Sequence, residues 1–304
     1  MEASVVGLGC NNFGMKLDQA QTTYVVSAAI DAGITYFDSA DIYGQGQSEV
    51  FLGVALEGRR DEVIVATKFG HPRSLPEGTA GASAAWITKK VEDSLTALRT
   101  DRIDHYQLHM PDSETPIGET LAALDQLVQD GKVLELGCSN FSAEQLTEAT
   151  SAAEQEGLSR FLTCQNHYSL LSRAPEEEGV LAACEDLDIG FVPFFPLESG
   201  LLTGKYRKGE ALPENSRLKL WGERASAFID DDRLDRVARL TEFAEAQGHS
   251  ILELAMSWLA GNPRVTTVIA GATSPEQVAS NVAAAGWGLS ADERAEVDRI
   301  CRES

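Results

Sequence analysis

Positive charge is scarce in this chain: 25 lysines and arginines stand against 47 aspartates and glutamates, for a formal net charge of −22 over 304 residues. A nucleic-acid partner is excluded on that ground, because phosphate backbones are gripped by a basic face. Long apolar runs are lacking too. No segment approaches the roughly 18 consecutive apolar residues of a membrane helix, so no membrane role is expected. The opening Met1-Glu2-Ala3-Ser4 has neither a basic cluster nor an apolar stretch, and no secretory leader is visible. Cysteines are few and scattered: Cys10, Cys138, Cys164, Cys184 and Cys301 form no Cys-x-x-Cys pair. That speaks against a disulfide framework or a zinc ribbon and suits a reducing, cytoplasmic setting. The acidity is spread along the chain rather than packed into a tail. Solubility and lineage composition account for it more simply than adaptation to salty solvent.

What the chain does have is rhythm. Eight short β-branched or aromatic runs recur: Val5–Gly9, Ile34–Asp38, Val63–Thr67, Ile103–Leu108, Val133–Gly137, Phe161–Gln165, Ile189–Phe194 and Val265–Ile269. Between them lie amphipathic stretches that read as helices, among them Gln19–Ala32, Ala84–Leu98 and Gly118–Gln129. Ser142 with Gln145 has the spacing of a capping box and opens another. Strands alternating with helices imply parallel βαβ units. Eight of them close most simply into a (β/α)8 TIM barrel, a single domain over residues 1–304, whose site lies at the C-terminal strand ends. Two stretches break the rhythm, Phe69–Ser83 and Pro196–Asp232, and long βα-loops of this kind carry sites. Pro275–Ala285 and Ala291–Cys301 read as terminal helices, which leaves little C-terminal tail and implies an open pocket.

Gly7-Leu8-Gly9 resembles the start of a dinucleotide fingerprint, but Asn12 stands where the third glycine is needed, so a Rossmann domain is rejected. His105 and His109 have the spacing of a helical zinc site. Their segment alternates like a strand, however, and Tyr106 occupies the position of the required glutamate, so no metal is expected. The strand ends are more informative. The second run ends at Asp38 and leads to Tyr43, the third leads to Lys68, and the fourth to His109. Carbonyl reduction needs such a set. A phenol gives its proton to the developing alkoxide, an ammonium lowers the phenol's pKa, a carboxylate holds the ammonium, and an imidazole orients the carbonyl. Taken singly, these residues read as a cap, a loop anchor and a snorkelling lysine. All four at consecutive strand ends are hard to explain that way.

Over nearly its whole length the sequence resembles the aldo-keto reductases. The resemblance is carried by Phe37-Asp38-Ser39-Ala40 with Tyr43-Gly44 and Ser48-Glu49, by Ala66-Thr67-Lys68, by Asp104 to His109, and by Gly137-Cys138-Ser139-Asn140. Gln165 to Ser169, Pro196 to Lys205 and Gly271 to Asn281 continue it. It implies an NADPH-dependent reduction of aldehydes and ketones, with Asp38, Tyr43, Lys68 and His109 as the catalytic set. It further implies Ser139, Asn140 and Gln165 at the nicotinamide carboxamide and Phe194 on the nicotinamide face. Leu197, Ser199, Gly200 and Lys205 would cover the pyrophosphate, and Gly271, Thr273, Gln277 and Asn281 would meet the adenosine end. Gly9 and Arg217 complete the implied cofactor set.

There are departures. The hairpin that often plugs the barrel floor is expected to be shortened or absent, and Phe195 replaces the serine usual before Pro196. Gly271 and Gln277 stand where some branches carry Lys and Arg on the 2′-phosphate, so the choice of NADPH over NADH rests on the resemblance. Some members of the family bind channels and turn over slowly, which makes an interaction subunit the alternative. A Schiff-base aldolase using Lys68 is weaker, because Asp38 would raise the lysine pKa. The substrate beyond a small carbonyl compound and the oligomeric state stay open.

Overall fold

The computed structural model describes residues 3–214, 216, 218, 219, 222 and 229–302. Its parallel strands are β1 (Val6–Gly9), β2 (Tyr36–Asp38), β3 (Ile64–Phe69), β4 (Ile103–Leu108), β5 (Val133–Ser139), β6 (Thr163–His167), β7 (Gly190–Phe194) and β8 (Val268–Gly271). Neighbours pair in the order 7-6-5-4-3-2-1-8. The ring closes ahead of β8, where the Phe191 amide donates to Arg264 O and the Thr266 amide donates to Phe191 O. The (β/α)8 barrel expected from the alternating pattern is the fold observed.

Helices α1 (Gln19–Asp31), α2 (Gln47–Ala55), α3 (Ala84–Leu98), α4 (Ile117–Gln129) and α5 (Ala143–Glu156) cover the first strands. Around the rest lie α6 (Ala174–Glu177), α7 (Val180–Asp186), α8 (Asp231–Ala246), α9 (Ile251–Ala260), α10 (Pro275–Ala284) and α11 (Ala291–Arg302). The expected capping box is present: Ser142 Oγ accepts from the Gln145 amide, and the Gln145 side chain accepts from the Ser142 amide. Asp18 and Ser250 cap α1 and α9 in the same way. Among the described residues no helix is long and apolar enough to cross a membrane.

Side chains alternate across each strand, and the two faces of the ring differ. Outward residues such as Val65, Phe69, Tyr106, Leu108 and Leu136 pack with the helices in the main core. Inward residues fill the lumen. Tyr36, Ile64, Ala66, Val192 and Ile269 form a small separate apolar cluster there. At the same depth the Tyr36 hydroxyl meets His105 Nδ1 at 2.7 Å, and Thr163 Oγ1 meets His105 Nε2 at 2.9 Å. His105 is thus a lumen-filling residue with both ring nitrogens engaged, two inward positions below His109.

Strand boundaries differ from the sequence reading at the upper ends. β3, β5 and β6 run on to Phe69, Ser139 and His167. An apolar criterion ends these strands early, because the inward positions there are polar. The Val265–Ile269 run is divided: its first part closes the ring against β7, and only its end belongs to β8, which pairs with β1.

Candidate active site

One turn of inward side chains above the apolar layer is polar, and it is contributed by five strands. Asp38 ends β2, Lys68 lies near the end of β3, Gln107 on β4, Ser139 ends β5 and Gln165 lies on β6. All five are buried. Lys68 Nζ donates to Asp38 Oδ2 at 2.6 Å and to Ser39 O at 3.0 Å. The other carboxylate oxygen, Asp38 Oδ1, accepts from Gln107 Nε2 at 3.2 Å and from Gln165 Nε2 at 3.1 Å. A bond from β6 to β2 crosses the lumen, which fixes both residues as inward-facing. Asp38 is thereby saturated, and Lys68 is held on a rigid anion.

Tyr43 reaches this layer from above. It begins a short 3-10 segment, Tyr43–Gly46, immediately after the β2 turn. Lys68 Nζ lies 5.2 Å from its ring centroid. The His109 ring stands edge-on to Tyr43, at a centroid distance of 6.0 Å and an angle of 88°. His109 follows β4, its amide bonded to Phe69 O at 2.8 Å. The four residues singled out at strand ends are therefore brought to one mouth of the barrel.

Their electrostatics follow from burial and neighbours. Burial pushes the Tyr43 phenol above its ordinary value, and Lys68 is the strongest influence in the opposite direction. The lowered phenol expected from Lys68 is thus not what folding produces, because desolvation outweighs the lysine. Burial pushes Lys68 down, but Asp38 and Tyr43 outweigh that and leave the ammonium favoured. His109 is depressed to about 2, by burial first and then by Lys68 and His71, so it is a neutral imidazole at any working pH. Its Nδ1 is buried without a hydrogen-bond partner.

The residues assigned to a cofactor lie around the same mouth. Ser139 Oγ donates to Gln165 O at 2.8 Å, and Asn140 Nδ2 donates to His109 O and Ser139 Oγ, both at 3.0 Å. The Gln165 amide is turned inward to Asp38 and Gln107, at 3.2 Å from the latter. Phe194 ends β7 with its ring stacked on His167 at 5.5 Å. In the next loop Phe195, Glu198, Ser199 and Gly200 all have positive φ. That bend is anchored from below, since Glu198 accepts from Ser169 Oγ and meets His167 Nε2, each at 2.6 Å. Leu197 is half-buried there. Gly200 has φ +99°, and a Cβ on it would come within 2.5 Å of the Lys205 side chain, which lies over this bend.

Across the mouth, Gly9 and Gly271 are register partners on β1 and β8. The Asn11 Oδ1 beside Gly271 is buried without a partner. Gln277 folds back so that its Oε1 accepts from the Thr273 amide at 2.8 Å, next to the Ser274 cap of α10. Asn281 is buried on the same helix. Arg217 lies outside the described residues.

This arrangement fits an extended dinucleotide. The bend over Gly200 brings Lys205 to it, and Asn11 Oδ1 is a spare acceptor. Sequence reasoning missed Gln107, although the alternation His105, Gln107, His109 placed it inward. It also missed the bond between Glu198 and the end of β6 at His167, and it missed His71; Glu198 and His71 reach the site only through loop geometry.

A model of the Aldo/keto reductase family matches residues 5–302. Three similar proteins illustrate its breadth. A probable voltage-gated potassium channel subunit beta of Oryza sativa subsp. japonica is 35% identical over 90% of this chain and 84% of its own length. An L-glyceraldehyde 3-phosphate reductase of Escherichia coli (strain K12) is 32% identical over 95% and 86%. An aldo-keto reductase of Bacillus subtilis (strain 168) is 34% identical over 99% and 90%.

Proposed function

The chain belongs to the aldo/keto reductase family, and from that premise we propose that it reduces small aldehydes and ketones to alcohols with NADPH, Tyr43 being the proton donor. The observation that carries this reading is the Tyr43–Lys68–Asp38 row with His109 at one barrel mouth. A bound nicotinamide dinucleotide supplies the hydride to the carbonyl carbon. The carbonyl π pair then needs a proton at oxygen. Tyr43 holds one securely, because burial keeps the phenol protonated. As the proton leaves, the Lys68 ammonium stabilises the phenolate left behind. Asp38 keeps that ammonium in place, and neutral His109 donates to the carbonyl oxygen and orients it. The same raised lysine counts against Schiff-base chemistry, which needs a free amine.

Lys205, laid over the bend at Gly200, supports phosphate binding. Gly271 and Gln277 add no charge, so NADPH should bind more tightly than NADH only modestly. Five buried free thiols support a reducing compartment, the cytoplasm. A second reading, a cofactor-binding subunit of a channel complex with low turnover, is favoured by the relatives named as channel β subunits. Steady turnover of a small aldehyde separates the two readings.

The test is Tyr43→Phe, assayed at pH 7 with an activated aldehyde and with cofactor binding followed by calorimetry. Binding should survive while reduction falls about 10² to 10⁴-fold, the usual worth of a positioned acid. Near-wild-type turnover in a variant that binds NADPH normally would remove Tyr43 from the role.

A further inference from the structure

A third donor stands beside Tyr43 and His109, in the loop that follows β3. The His71 ring lies 4.8 Å from the His109 ring at 72°, so Tyr43, His109 and His71 form a row along the mouth. His71 is half-buried, with part of its surface open. Its Nδ1 accepts from the Arg73 amide at 3.1 Å, as the cap of the Pro72–Ser74 turn. A backbone N–H requires an acceptor, so Nδ1 carries no proton, and in the neutral ring the proton is on Nε2. Burial and the Arg73 cation both lower the pKa of this ring. His71 is thus a neutral imidazole with a fixed tautomer, and its Nε2–H is not used by the turn that Nδ1 caps.

The loop is tied down rather than loose. Ser74 donates from its amide and its hydroxyl to His71 O, at 2.9 and 2.8 Å. Asp41 accepts from Ser74 Oγ at 3.5 Å, is paired with Lys90 at 3.1 Å, and its amide bonds to Lys68 O at 3.0 Å. The donor position is therefore referred back to β3, the strand that carries the site lysine.

We propose that His71 is a specificity-determining residue that donates from Nε2 to an oxygen on the carbon next to the substrate carbonyl, so that α-hydroxy aldehydes are the preferred substrate class. Two imidazole donors in edge contact match two oxygens on adjacent carbons: His109 takes the carbonyl and His71 the α-oxygen. A simple alkyl aldehyde leaves the second donor without a partner, and sites built to bond a hydroxyl discriminate against analogues that lack it.

This inference rests on the reductase reading, and the experiment keeps the two apart. kcat/KM is measured with NADPH for glycolaldehyde and for propanal, which exchanges the hydroxyl for a methyl group. Wild type should favour glycolaldehyde about tenfold or more, the worth of one well-placed hydrogen bond. His71→Phe keeps a ring against His109 and removes the donor. It should lower that ratio about tenfold through glycolaldehyde alone. His71→Gln, which carries an amide N–H near the Nε2 position, should recover part of it. An unchanged ratio in His71→Phe, or an equal fall with both aldehydes, overturns the role given to His71 while leaving the reductase intact. Failure of wild type to reduce either aldehyde defeats the reductase reading, and the inference with it.

Discussion

A buried ammonium is costly unless its partners replace water, and Lys68 shows how this chain meets that requirement. It is fully buried, yet Asp38 and the Ser39 carbonyl supply its acceptors, and the charge stays. Glu49 is the opposite case. It is buried between α2 and β3 and accepts from Thr67 Oγ1 at 2.6 Å, but burial dominates and lifts it to about 7. A carboxyl raised on folding makes the folded state bind the proton more tightly than the unfolded chain. Stability therefore falls as pH rises from the ordinary value of 4.5 to about 7, then levels off. The loss is on the order of 3 kcal/mol. Glu49→Gln keeps an acceptor for Thr67 and cannot ionise. It should melt higher than wild type at pH 8 and match it near pH 5; equal melting at both pH values would show that Glu49 stays ionised. The pairing of Lys68 with Asp38 was legible from their strand ends, but the raised carboxyl of Glu49 was not, because in sequence it is merely a charged residue beside Ser48. Their charge states were set by depth and by what folding placed beside them.

At the scale of elements, the turn that delivers Tyr43 is the most demanding. Gly44 has φ +57°, and a Cβ there would meet Phe13 O at 2.5 Å. Gly44→Ala should therefore cost about 1–2 kcal/mol in backbone strain alone and shift the turn. Reduction should fall by about tenfold or more, because the phenol moves relative to the carbonyl. Thermal melting and aldehyde turnover together check this, and wild-type values in both would mean that the turn relaxes without moving Tyr43. Much of the element pattern was readable: α3 lies where its amphipathic period placed it, and Ser142 with Gln145 marked the start of α5. Short α2, which follows Tyr43 directly, lacks such a period and was not singled out. The upper strand ends were cut short because polar inward residues there satisfy one another across the lumen, and a local pattern cannot register that.

For the whole molecule, the net charge of −22 sets a long-range term. Self-repulsion spread over the surface is screened by salt, so melting temperature should rise only mildly from about 0.1 M to molar KCl. Unfolding in low-salt buffer would instead mark the acidity as an adaptation to salt. The sequence by itself determined the repeating strand–helix order, and with it the barrel, because hydrophobic periodicity is a local property that eight βα units can satisfy in essentially one closed way. It also singled out Asp38, Tyr43, Lys68 and His109 as candidates, since each stands at or just beyond the end of an apolar run. Only the tertiary structure decided that Gln107 and Gln165 bond to Asp38 and that a bend of positive φ brings Lys205 over Gly200. The placing of His71 against His109 was decided in the same way. Those contacts join residues up to 127 positions apart, and their geometry exists only once the ring has closed.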